Sequence, residues 1–123
     1  MIGYTTLGTN DLDRAVTFYD KLFETEDVKR LQPNDRLHLW GKKGAPMFGV
    51  IKPYDGEPAT SGNGTMIALA VESTEKVEQL YRKALEMGAA DEGAPGPRGT
   101  GDFFGGYFRD LDGHKIVVFT RVS

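Results

Sequence analysis

Two segments of the chain overlay when one is shifted by 62 positions, and this internal repeat restricts the fold more than any other feature. Residues 7–23 (LGTNDLDRAVTFYDKLF) lie over residues 69–85 (LAVESTEKVEQLYRKAL). The identities are few: Leu7/Leu69, Tyr19/Tyr81 and Lys21/Lys83. The physical pattern is stronger. Asp11 and Ser73 fall at the same place, where a short oxygen-bearing side chain can accept hydrogen bonds from the first unpaired N–H groups of a helix. Leu12, Ala15, Val16, Tyr19, Leu22 and Phe23 then recur at helical spacing. So do Val77, Leu80, Tyr81, Ala84 and Leu85, with Gly88 placed to stop the second helix. A strand-like stretch precedes each helix, at 4–9 and 66–71. Hairpin-like pairs follow, at 36–40 with 47–51 and at 103–109 with 115–121. Each half therefore reads strand, helix, then two or three strands. The expected organisation is one α+β domain over residues 1–123, with module one at 1–54, a Gly/Ser/Pro-rich linker at 55–63 and module two at 64–123. On pattern alone, an unrepeated α+β domain whose helices share only a cap is the alternative.

Composition narrows the partners. The chain carries 15 basic and 18 acidic residues, a formal charge of −3, which disfavours nucleic acid and anionic membrane as main partners. There is no cysteine, so disulfides, thiolate nucleophiles and zinc–thiolate sites are excluded. No apolar run approaches the roughly 20 residues that span a bilayer, and the N-terminal residues lack a signal-peptide pattern, so a cytoplasmic protein is expected. No G-x-S-x-G elbow and no H-E-x-x-H occurs.

The stretches LGTNDLDRAVTFYDKLF, MIALAV and YFRDLDGHKIVVF, in this order and spacing over nearly the whole chain, resemble the vicinal oxygen chelate superfamily. That superfamily holds glyoxalase I, the bleomycin- and fosfomycin-resistance proteins and the extradiol dioxygenases. The resemblance implies two βαβββ modules forming a curved mixed sheet around a cup, with the helices on the outer face. It also implies a homodimer and, in metal-dependent members, a divalent ion in the cup. The positions where those members carry ligands are occupied here by Tyr4, Met66 and Val117. Between Gly41 and Pro53 no His, Asp, Glu or Asn is available for the fourth. A phenol, a thioether and an isopropyl group do not hold Mg²⁺, Mn²⁺ or Zn²⁺, so no metal ligand and no cofactor is expected.

Strand alternation sends Tyr4, Thr6 and Gly8 to one face. If that face is the cup, Met66, Ala68 and Ala70 join it from the second module and Val117 and Phe119 from the last strand. Phe103 and Tyr107 are further candidates from the strand at 103–109. In LHLW, His38 and Trp40 share a face with Arg36; if it is the cup, His38 is a candidate base near neutral pH and Trp40 a stacking surface. The bland reading makes His38 a half-buried strand residue and Trp40 part of the core. Segment 89–106, with six glycines and two prolines, reads as a long crossover, or as a mobile lip from which Arg98 contacts an anion. Arg14 reads as a solvated helix residue and Arg109 as the partner of Asp110 or Asp112.

In DLDGHK, residues 110–115, two carboxylates and a histidine suggest a metal loop, but the third oxygen donor and terminal glutamate of an EF-hand are missing. Asp112-Gly113 reads as a hairpin turn with His114 in solvent. The expected function is a metal-free binder of a small, partly apolar or aromatic molecule, of the resistance or sequestration type. The alternatives are a glyoxalase-I-like lyase, a metal-independent enzyme using His38 or Tyr4 as acid or base, or a regulatory domain without a ligand.

Overall fold

The computed structural model describes residues 1–31, 33–99 and 101–122. The chain divides into two compact units, Met1–Thr60 and Ser61–Ser123. Each is a βαβββ module with one four-stranded mixed sheet and one helix.

The first module contains β1 (Tyr4–Gly8), α1 (Leu12–Leu22), β2 (Lys29–Leu31), β3 (Leu37–Gly41) and β4 (Met47–Ile51), with sheet order β1-β4-β3-β2. β1 runs parallel to β4 and the remaining pairs are antiparallel. Asp11 caps α1 by accepting from the Arg14 N–H at 3.0 Å. Leu12, Ala15, Val16, Phe18, Tyr19 and Leu22 are buried, so the apolar stripe is the one the spacing predicts, widened by Phe18. Beyond β4, Asn10 holds the chain to the β1–α1 corner. Its amide donates to the Ala59 carbonyl at 3.2 Å and accepts from the Ala59 N–H at 2.7 Å.

The second module contains β5 (Met66–Ala70), α2 (Thr74–Glu86), β6 (Ala90–Pro97), β7 (Phe103–Arg109) and β8 (Lys115–Arg121), with sheet order β5-β8-β7-β6. Its pairing repeats the first: β5 parallel to β8, the others antiparallel. Ser73 caps α2 by accepting from the Lys76 N–H at 3.1 Å. Gly88, at φ 104°, turns the chain at the other end, and the Ala89 N–H reaches back to the Ala84 carbonyl at 3.0 Å. The Ala84 carbonyl, near the end of the helix, thus accepts from both the Met87 and Ala89 N–H groups.

Three expectations change here. Segment 89–106 is no long loop, because its first half is β6, an edge strand paired with β7 through two register shifts. An edge strand needs only one hydrogen-bonding side, which is why Pro95 and Pro97 are tolerated in it. Thr100, which also falls in that segment, lies outside the described residues. His114 is buried rather than solvated, since the Asp110 carboxylate accepts both the Asp112 and His114 N–H groups at 3.0 Å and folds the turn over it. Gly113 supplies the positive φ, 87°, that this turn requires. Arg109 pairs with Glu92 on the neighbouring strand and donates to the Gly113 carbonyl, rather than pairing with Asp110 or Asp112. Arg14 is exposed at the start of α1.

Candidate functional site

In each module one sheet face packs on the helix and the other turns away from it. In the first, Tyr19 and Phe23 of α1 form an aromatic cluster with Trp40 and Phe48, with ring centroids 4.7–6.2 Å apart. Trp40 and Phe48 therefore lie on the helix side. The register places His38 beside Val50 on that same side. His38 and Trp40 do share a face, as alternation requires, but it is the helix face. Trp40 is 3% exposed and its indole N–H donates to Asp20 at 2.9 Å, while Arg30 holds the other Asp20 oxygen. This is a core residue with its polar atom satisfied.

His38 is half-buried at the end of that face and opens on a cleft of about 850 Å³. The start of α1 (Asn10, Asp11, Asp13), the residues before β3 (Asn34, Asp35) and Lys52 line it. Its Nδ1 is buried and has no hydrogen-bond partner among the described residues.

The opposite face of the first module carries Tyr4, Thr6 and Gly8 of β1, in register with Met47, Gly49 and Ile51 of β4. Tyr4 is 57% exposed. Leu37 and Leu39 of β3 continue the surface. No side chain of β4 on this face bears an oxygen or nitrogen.

In the second module, Gly106 lies against Tyr81 of α2, and its register partner Val118, with the next pair on that side, Phe108 and Ile116, forms the helix side. The face turned away carries Met66, Ala68 and Ala70 of β5, Lys115, Val117 and Phe119 of β8, and Phe103 and Tyr107 of β7. Val117 is wholly buried between Ala68 and Tyr107 in the register. Phe103 and Phe119 stack with centroids 5.0 Å apart and planes 10° from parallel. Gly105 makes room for this stack, since a Cβ there would stand 2.7 Å from the Phe103 ring.

Tyr107 meets two cations. The Arg98 guanidinium lies 5.3 Å from its ring centroid and the Lys115 ammonium 5.5 Å. Arg98 folds back along β6, donating to the carbonyls of Ala94 at 2.6 Å and Pro97 at 3.1 Å. Lys115 is a cation that attention to the apolar pattern misses, although alternation puts it on the same face as Val117, two residues on.

Two carboxylates of β6 are each held by a neighbour. Tyr81 donates to Asp91 at 2.7 Å, and burial together with that carboxylate pushes its phenol up to about 12. The Tyr81 hydroxyl and the Gly93 N–H hold the Asp91 carboxyl below its usual range. Arg109 does the same for Glu92.

The divalent ion of metal-dependent relatives finds no fit in these residues. Tyr4 and Met66 head their strands, Val117 is an alkyl group in a packed sheet, and β4 offers Met47, Gly49 and Ile51. None supplies the carboxylate, carbonyl or imidazole donors such an ion needs. Among the described residues, no three His, Asp or Glu side chains come together as a metal-binding group. No helix is long and apolar enough to cross a membrane.

A family model for the Glyoxalase/Bleomycin resistance protein/Dioxygenase superfamily matches residues 1–118. Among solved structures, a glyoxalase/bleomycin resistance protein from Albidiferax ferrireducens is 31% identical, with 99% of each chain covered and a TM-score of 0.89. A hypothetical protein from S. aureus is 25% identical, covering 98% of this chain and 92% of its own, with a TM-score of 0.73. Lactoylglutathione lyase from Agrobacterium tumefaciens shares the fold at 19% identity and a TM-score of 0.69, with 98% and 92% covered. A comparison with curated protein sequences finds no match.

Proposed function

The chain belongs to the glyoxalase/bleomycin resistance protein/dioxygenase superfamily, and on that premise we propose that it binds a small, partly apolar or aromatic molecule without a metal or cofactor. The reading is of a resistance- or sequestration-type binder, acting as a homodimer. One observation carries it: the sheet faces turned from the helices keep an apolar and aromatic surface while the family's ligand positions hold Tyr4, Met66 and Val117. Met66, Val117, Phe103, Tyr107 and Phe119 lie on that face of the second module's sheet, and Tyr4 and Thr6 lie on the corresponding face of the first module's sheet.

Two measurements test this. Protein purified without chelator should carry no stoichiometric Mg²⁺, Mn²⁺ or Zn²⁺; one tightly held ion per chain would overturn the metal-free reading. A panel of aromatic metabolites and antibiotics should include compounds that raise the melting temperature, because a ligand that binds only the folded state stabilises it. A monomeric mass by light scattering would remove the homodimer.

A second reading rests on His38. A buried, unpartnered Nδ1 beside a polar cleft is the setting in which an imidazole can take a proton from a bound substrate. In this reading the protein is a metal-independent enzyme, or a lyase like its fold relative, with His38 or Tyr4 as the acid or base. His38→Ala would then abolish turnover and leave binding on the opposite sheet face unchanged.

A further inference from the structure

The proposed binder is specified further by where its second module leaves positive charge without a counter-ion. On the sheet face turned from α2, four cations lie along β7, β8 and the end of β6: Arg98, Arg109, Lys115 and Arg121. Two are matched, Arg109 by Glu92 and Arg121 by Asp102 at 2.8 Å. Among the described residues no carboxylate stands within ion-pair distance of Arg98 or Lys115. Glu92 acts on Lys115 only at longer range and is already held by Arg109.

Arg98 is positioned by the backbone around it. A Cβ at Gly93 would stand 3.2 Å from its Nη2, and one at Gly96 would stand 3.1 Å from its Nη1. The two glycines leave the slot in which the guanidinium lies. Its hydrogen bonds to the Ala94 and Pro97 carbonyls use two of the five N–H donors a guanidinium carries. Tyr107 is thus met by a fixed guanidinium and an ammonium, in a chain whose net charge is −3.

Register gives the spacing. Phe119 lies opposite Gly105, Val117 opposite Tyr107, and Lys115 opposite Arg109. At about 3.4 Å per residue, the backbone positions of Phe119 and Lys115 are separated by roughly 14 Å along β8. The Lys115 ammonium and the Arg98 guanidinium both stand over Tyr107, which lies between these two points in the register, so the face offers aromatic surface and positive charge side by side.

We propose that this face binds a planar aromatic carboxylate, with Arg98 and Lys115 taking the carboxylate and Tyr107, Phe103 and Phe119 taking the ring. This rests on the reading of the protein as a small-molecule binder and adds the charge and shape of the ligand. A carboxylate matches the guanidinium fork and is drawn by the adjacent ammonium. The ring exchanges water for aromatic surface.

The test is calorimetric titration of the full chain with 2-naphthoate, its neutral isostere 2-naphthamide and the cationic 2-naphthylmethylammonium. Naphthoate should bind at least tenfold tighter than the amide, with the ammonium weakest, and added salt should shrink the difference. Arg98→Met and Lys115→Met, each checked for a wild-type circular dichroism spectrum, should each reduce the preference for acid over amide at least fivefold. Equal binding of acid and amide, or a preference that survives both substitutions, would overturn the carboxylate assignment and leave the aromatic binder standing. Failure of all three probes to bind would remove the aromatic reading itself and this assignment with it.

Discussion

Val117, buried in the middle of β8, is the residue that the proposed metal-free reading sets at a family ligand position, and its replacement tests both the packing and the chemistry. The side chain is 0% exposed and lies in register with Ala68 on one side and Tyr107 on the other. Val117→Ala removes two methyl groups, worth about 1.6 kcal/mol in transfer free energy. The neighbours limit relaxation, because Ala68 and Gly105 have no long side chains to fold into the gap. If the roughly 50 Å³ vacated stays open, the cavity adds about 1.2 kcal/mol. The expected loss is therefore about 2–3 kcal/mol. With a urea slope of about 2 kcal/mol per M, the midpoint should fall by about 1–1.5 M. Circular dichroism during equilibrium urea unfolding reads this directly, and a shift below about 0.3 M would refute the packing argument. Val117→Glu extends the test. Burying an uncompensated carboxylate should cost more than the alanine, and the missing partner ligands should leave the variant without Mn²⁺ uptake. Stoichiometric Mn²⁺ binding by that variant would show that other donors reach the position.

Three further outcomes follow from the same contacts. Trp40→Phe deletes the indole bond to Asp20 and part of the aromatic cluster, and should lower stability by about 1–2 kcal/mol in urea unfolding. Gly105→Ala drives a methyl into the Phe103 ring and against Val117, 3.1 Å away, and should cost about 1–3 kcal/mol while weakening any ligand that uses the Phe103–Phe119 stack. Tyr81 should ionise near 12 in a spectroscopic pH titration, and the assignment is checked by loss of that step in Tyr81→Phe. Because its folded value is raised, its contribution to stability is complete below the ordinary phenol value near 10 and is lost as pH rises towards 12. Asp91 has the opposite sign: its lowered value gives stability that is present above the ordinary carboxyl range and lost on acidification.

Much of the fold was legible because period and capping agree locally. The two caps, both apolar stripes and the strands at 47–51, 103–109 and 115–121 stand where the sequence pattern puts them. β6 was not legible, because AxxGxPGP-type composition signals a loop and only the edge position makes those residues acceptable in a sheet. Missing β6 also hid Glu92, the partner Arg109 takes across the strand pair. Alternation correctly put His38 and Trp40 together, yet it does not say which side of a sheet a helix will cover. Tyr19, Phe23 and Asp20 decide that, and they lie about twenty residues away in sequence. The same limit applies to Arg98: its place over Tyr107 depends on two glycines whose meaning appears only once β6 is folded.

The two modules share a topology but deploy their aromatic rings differently. The first gathers four of its rings, the sole tryptophan included, beneath α1; the second displays three of its rings on the face away from α2. Intrinsic emission from this protein is therefore an instrument pointed at one core. A ligand screen based on tryptophan quenching would register loosening of the Trp40 cluster, and the natural optical reporter for the surface beside Tyr107 is one introduced there.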